Sequence, residues 1–251
     1  MSLTPQVVFL AWQCHGTRAI IPVGRLLERA RDDYEFVYIG AVRRAETHGF
    51  QPLVSFPRLD VVYRSAELPP LFHNRVMRPA RPDYPAFVSE LGLQPDASPL
   101  SLMARSGGRR QTDELEVFAA PEVDADGVLR TSVLLRGVRH VAHAEEAVAQ
   151  LSTGSRLFVM ADMQNEQGEH ALALRTQQQQ FIGYLPDYLA RELAQRDPSL
   201  TRQLLVTVEK VNLPPATVHH RLLCRIAFPA ELHLFQSDDY RPLASGSEVA
   251  A

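Results

Sequence analysis

Apolar and polar positions alternate along this chain in short stretches, which points to strands joined by turns rather than to long helices. QVVFL opens as a strand near residue 6, and DDYEFVYI (32–39) alternates as a second. Prolines at 52, 57, 69 and 70 then break any long periodic element. RPDYPAFVSELGL (81–93) predicts a short helix, with Asp83 as cap, Pro85 in the first turn, Phe87, Val88 and Leu91 on one apolar face and Gly92 as the stop.

AAPEVDADGVLR (119–130) is polar and turn-rich, with Asp126-Gly127 as a hairpin corner, and it marks the expected domain boundary. Beyond it, 130–141, 156–162, 170–176, 180–185, 204–211 and 221–228 read as about six short strands, a spacing that suits a small barrel or curled sheet. Two helices interrupt them: HAEEAVAQL (143–151), with Ala147, Val148 and Leu151 inward, and PDYLARELAQR (186–196), with Leu189 and Leu193 inward. QQQQ (177–180) fills a turn, and the tail from Gln236 has little to bury and is expected to fray.

Composition narrows the class. The 251 residues, 45% hydrophobic and 22% charged, are enough for one large or two small globular domains. No apolar run is long enough for a membrane span, and the N-terminus lacks a signal-peptide pattern, so a cytoplasmic protein without membrane contact is expected. Cys14 and Cys224 stand far apart without metal spacing and read as reduced and buried, although spacing alone leaves a disulfide open. A net charge of −3 argues against coating nucleic acid by bulk charge, so any such site must be local. Of the 26 basic residues only Lys210 is a lysine, and arginine suits planar, bidentate contacts.

Candidate chemistry is sparse. No GxSxG elbow or catalytic cysteine context occurs, and no enzyme activity, cofactor or metal is expected. His219-His220 reads as one solvent-facing and one packed strand residue, and His140 and His143 lack a third ligand nearby. SGGRR (106–110) departs from the phosphate-loop pattern and reads as a turn exposing Arg109 and Arg110. Arg139 and His140 at a strand end, the turn DMQNEQGEH (162–170) and FIGYLP (181–186) form the better constellation, since arginine meets phosphate while flat rings stack on bases. Phe181 reads as a core or corner residue; Tyr184 reads equally as a corner residue or as part of that site.

GVRHV (137–141), RLFVMADMQNEQGEHALAL (156–174) and FIGYLPDYLARELA (181–194) together resemble the HIRAN domain, over about residues 128–235. That resemblance implies an OB-like barrel and binding of single-stranded DNA or DNA ends. It implies that Arg139 lies near the DNA backbone, that His140 takes the place of a stacking aromatic, and that Asp162, Asn165, Gln167, His170 and Tyr184 border the site. Gln167 and Gly168 stand where end-binding members carry an aromatic and a hydroxyl-accepting aspartate, so the resemblance implies single-strand binding more strongly than end recognition.

Residues 68–118, through Phe72, Asn74, Leu91, Gly92, Leu93 and Gly108, resemble the N-terminal subdomain of HipA-type toxin kinases, but no kinase core follows. The expectation is an α+β protein of two modules: a HipA-N-like module (1–125) and an OB-like barrel of about six strands and two helices (126–236), followed by a flexible tail (237–251). The expected function is non-enzymatic binding of single-stranded DNA or DNA ends. The alternative is a protein-interaction adaptor or regulator related to HipA-type toxin–antitoxin systems, docking a protein partner through Arg109 and Arg110 of the N-terminal module.

Overall fold

The computed structural model describes residues 6–165, 170–196, 199, 202–229, 231–244 and 248–250. In chain order the strands are β1 (Gln6–Gln13), β2 (Ile20–Ala30), β3 (Asp33–Tyr38), β4 (Val62–Ser65), β5 (Leu115–Phe118), β6 (Glu122–Val123), β7 (Leu129–Leu134), β8 (Arg156–Ala161), β9 (Leu172–Arg175), β10 (Phe181–Tyr184), β11 (Leu205–Val211), β12 (Leu222–Ala227) and β13 (Glu248–Ala250). The helices are α1 (Val42–Thr47), α2 (Pro70–His73), α3 (Tyr84–Glu90), α4 (Pro99–Ser106), α5 (Ala144–Ala149) and α6 (Asp187–Ala194). Three 3-10 turns lie at Val138–His140, Val218–His220 and Asp238–Tyr240. The fold is α+β, built on two mostly antiparallel sheets ordered β13-β4-β3-β2-β1-β5 and β10-β9-β8-β11-β12-β7-β6.

Each sheet organises one unit, but the units are not contiguous in sequence. The first comprises 1–84, 97–120 and 235–251; the second comprises 85–96 and 121–234. This corrects the expected division at 125 and 236. Residues 85–96 join the second unit because Glu90 meets His220 Nδ1 at 2.7 Å, and Asn212 Nδ2 donates to the Glu90 carbonyl at 2.8 Å. Phe235 joins the first because its ring packs on Phe9 and Phe118 at 6.2 and 5.5 Å between centroids. The described parts of the expected fraying tail, 237–244 and 248–250, are held to the first sheet. Gly40 N–H donates to the Arg241 carbonyl at 2.9 Å, Leu243 N–H donates to the Tyr38 carbonyl at 2.9 Å, and β13 pairs in parallel with β4.

In the first unit, β2 has no counterpart in the expected elements because Pro22 and Gly24 interrupt its pattern. Both are accommodated at a bulge: Ala11 faces Pro22 and Leu10 faces Gly24. A Cβ on Gly24 would stand 2.6 Å from the Phe36 ring, so glycine is what lets that ring enter the core. Phe36 stacks on Phe56 at 4.1 Å, and Tyr38, Tyr63 and Phe72 complete an aromatic centre. The Tyr38 hydroxyl donates to the Phe56 carbonyl at 2.7 Å and accepts from Leu53 N–H at 2.8 Å, which fastens the proline-rich loop over that centre.

In the second unit all six expected strands form, with β6 added beyond Asp126-Gly127 as the outer strand of a hairpin on β7. The sheet closes on itself just after β7, where Arg136 forms an antiparallel bridge to Tyr184 of β10. The interior is filled by side chains such as Val133, Leu157, Leu174, Ile182, Val206 and Ile226. The two expected helices flank the barrel. Ala147 and Val148 of α5 are buried, as are Leu189 and Leu193 of α6. Pro186 sets the start of α6 with φ −55°. Asp83 does not act as the expected helix cap: its carboxylate takes both Nε and an Nη of Arg81, at 2.8 and 2.7 Å. Cys14 and Cys224 are both free and buried.

Candidate nucleic-acid interface

The barrel seam places the candidate residues, and two glycines make the seam possible. Arg136 N–H donates to the Tyr184 carbonyl at 2.9 Å, and Tyr184 N–H returns a bond to the Arg136 carbonyl at 2.8 Å. Gly183 (φ 144°) lies so close that an added Cβ would sit 2.5 Å from the Arg136 carbonyl oxygen. Gly137 (φ 73°) is pressed against the Tyr184 ring, where a Cβ would come within 3.1 Å of Cδ2. The position of Gly183 therefore requires glycine for conformation and for space, and the left-handed φ of Gly137 favours glycine there.

The left-handed turn at Gly137 ends the extended backbone, so Arg139 and His140 do not sit on a strand as the sequence suggests. They lie on the 3-10 turn Val138–His140, closed by His140 N–H donating to the Gly137 carbonyl at 2.9 Å. Val138 is buried and anchors the turn, while Arg139 and His140 are exposed. Arg139 Nε donates to His140 Nε2 at 2.9 Å, which requires a lone pair on that imidazole nitrogen. The turn packs against β10, so the Arg139–His140 pair rides on the element that carries Tyr184.

Asp162 follows β8 and is the hub of the neighbouring turn. Its Oδ2 accepts from the Tyr184 hydroxyl at 2.9 Å and from Asn165 Nδ2 at 3.4 Å, and its Oδ1 accepts from Gln164 N–H at 3.2 Å. The Tyr184 hydroxyl bond, outweighing desolvation and aided by the other two donors, holds the Asp162 carboxyl below its ordinary value. Desolvation, followed by the adjoining carboxylate, pushes the Tyr184 phenol up. Tyr184 is a corner residue, as one of the two expectations has it: its backbone closes the barrel, and its half-buried ring carries the hydroxyl that meets Asp162. His170 is half-buried at the entry to β9, whereas Gln167 and Gly168 lie outside the described residues.

Of the two roles expected for Phe181, core or corner, the core one does not hold, since its ring is half-buried. A register shift between Phe181 and Gly183 inserts an extra residue in β10. Ile182 enters the interior, fully buried, while Phe181 faces Arg175 and Tyr184 faces Ala173 on the outer side of the sheet. In β8, Leu157 and Val159 share the interior side with Leu174, leaving Arg156, Phe158 and Met160 outside with Arg175. The Phe158 ring lies between two guanidinium groups, with Arg156 Cζ 5.4 Å and Arg175 Cζ 5.9 Å from its centroid. The sequence reading misses these residues because RLFVMA is apolar on both faces, so its alternation does not show which face is outward.

The remaining candidates are placed apart from this seam. His219 and His220 occupy a 3-10 turn rather than a strand. His220 packs on Glu90 and on the Phe87 ring, and His219 is exposed, so the expected division of roles holds on different backbone geometry. Arg109 and Arg110 are exposed beyond Gly107 and Gly108, as expected for a turn. Arg109 is engaged with Glu116 at 3.7 Å and with Gln13 at 3.4 Å. Among the described residues no group of three or more His, Cys, Asp or Glu side chains is arranged to hold a metal ion, and no helix is long and apolar enough to cross a membrane.

No protein-family model and no curated protein matches the chain. Two solved structures are similar to it in part. One is a structural-genomics crystal structure of a protein from Lactobacillus plantarum, with TM-score 0.31 and 18% identity over 39% of this chain and 96% of that one. The other is the crystal structure of the HIRAN domain of human HLTF, with TM-score 0.31 and 17% identity over 40% of this chain and 74% of that one.

Proposed function

We propose that this chain is a non-enzymatic protein that binds single-stranded DNA at the seam of its barrel. The observation that carries the reading is the exposed Arg139–His140 pair on a turn locked to β10, beside the Tyr184–Asp162–Asn165 hydrogen-bond network. Arg139 contacts a phosphate, and the imidazole of His140 and the ring of Tyr184 border a base. Asp162 stays charged, and its three neutral donors fix its oxygens in the turn, so the phosphate is met by Arg139 rather than beside that carboxylate. The HIRAN-like order of motifs supports the same reading, and the net charge of −3 makes it a local site rather than a charged coat.

Fluorescence anisotropy with labelled single strands, free or blocked at the 3′ end, tests this. Binding that weakens with salt, falls about tenfold in Arg139→Ala and does not distinguish the two ends is expected. Preference for the free end would extend the reading to DNA ends. Absence of binding at low salt would end it. A docking role for Arg109 and Arg110 is a separate proposal, resting on their exposure beyond the Gly107-Gly108 turn. Equal partner recovery by wild type and an Arg109→Ala/Arg110→Ala variant in pull-down would remove it.

A further inference from the structure

Two sets stand out among the arginines of the second unit. Arg130, Arg191, Arg196, Arg221 and Arg225 each meet a carboxylate: Asp124 and Asp126, Asp187, Glu192, Glu145, and Asp124 respectively. Among the described residues Arg156 and Arg175 meet none, and each instead lies over the Phe158 ring. Their positive charge is therefore held in place by an aromatic platform and left uncompensated, an arrangement that favours an anionic ligand.

The surroundings give that ligand a shape. Register puts Phe158, Arg175 and Phe181 in one row across β8, β9 and β10, all on the outer face. The next row is Met160, Ala173 and Tyr184. Phe181 and Tyr184 meet edge to face at 5.0 Å, which joins the row to the seam site. A continuous series of ring, ring and two cations on a barrel face suits a chain that offers a flat group and a negative charge at each repeat.

We propose that the outer face of β8, β9 and β10 is an extension of the single-strand site, so that DNA leaving Tyr184 crosses Phe181 and reaches Arg156 and Arg175. Phe181 takes a base, Arg156 and Arg175 take phosphates, and Phe158 acts as a positioning residue that orients both guanidinium groups. This inference rests on the single-strand reading of the seam and adds length to it.

The test uses the full chain and two labelled oligodeoxythymidylates, of about 4 and about 12 nucleotides, spanning much of the range that one OB-type fold occupies. Arg156→Ala/Arg175→Ala is expected to weaken the longer strand about tenfold and leave the shorter one unchanged, while Arg139→Ala weakens both. For the longer strand, the slope of log affinity against log salt is expected to fall by about 1.4 in the double variant, as two lost phosphate contacts require. Phe158→Leu should reproduce the length-selective loss with both arginines present. If wild type and the double variant bind the longer strand alike while Arg139→Ala still weakens it, the extension is wrong and the seam site stands. If wild type binds neither strand, both readings fall. Equal loss on both strands would also remove the extension, because the two arginines would then belong to the seam itself.

Discussion

Phe181 and Tyr184 lie three residues apart on one strand, yet their rings meet edge to face at 5.0 Å and 85° on the same side of the sheet. In a regular strand that spacing sends two side chains to opposite faces. The extra residue between Phe181 and Gly183 removes the conflict: Ile182 fills the core while both rings stay outside. The same bulge delivers the Tyr184 backbone to Arg136 and its hydroxyl to Asp162.

Gly183→Ala should open the barrel seam. The new methyl would meet the Arg136 carbonyl oxygen at 2.5 Å in a backbone conformation with φ 144° that disfavours a side chain. A loss of about 1–3 kcal/mol from backbone strain, with more from the contact, is expected in denaturant unfolding. Unchanged stability would mean that the bridge does not hold the barrel.

Tyr184→Phe should leave the seam closed and release Asp162. Its carboxyl would titrate closer to the ordinary value, readable by NMR, because the hydroxyl is the leading cause of its lowered pKa. A folded-state pKa below the unfolded one stabilises the protein above the unfolded value, and that contribution is lost as pH falls through the folded value. The stability difference between wild type and variant should therefore be present near neutrality and shrink in acid. A difference that grows in acid would contradict the assignment.

Tyr38→Phe should loosen the proline-rich loop of the first unit. The buried hydroxyl serves the Phe56 carbonyl and Leu53 N–H at once, so its removal leaves two backbone groups without their partner. A cost of about 1–3 kcal/mol is expected, with hydrogen exchange at Leu53 accelerated more than at the strand amides. Uniform acceleration throughout the sheet would instead indicate general destabilisation.

Cys224 should resist alkylation in the native protein. Burial is the main cause that pushes its thiol up to about 12, with Glu209 adding to it, and the side chain has no solvent access on β12. Mass spectrometry after iodoacetamide treatment should find it unmodified until denaturant is added. Fast labelling under native conditions would require a local opening of β12.

Much of the barrel is legible along the chain because its strands are short and its turns carry distinct residues. Asp126-Gly127 marks a hairpin, Pro186 a helix start, and Leu189 and Leu193 an inward stripe, and each is found as expected. β2 is hidden because Pro22 and Gly24 resemble a turn until a bulge and the Phe36 ring account for them. Of the residues in the proposed site, Arg139, His140, Asp162, Asn165 and Tyr184 are candidates from the sequence, whereas Arg156, Phe158 and Arg175 are not. An Arg separated by one residue from a Phe says nothing about which face is wet.

The sequence by itself determined the α+β class, the six strands and two helices of the barrel and the candidate residues around the seam, because local periodicity and turn chemistry act over a few residues. Only the tertiary structure decided that 85–96 belongs with the barrel and 235–251 with the first unit, that Gly183 faces the Arg136 carbonyl, and that Phe158, Arg175 and Phe181 form one row. Those facts depend on register and on contacts between residues far apart in the chain, where a one-residue bulge exchanges the inner and outer faces of a strand.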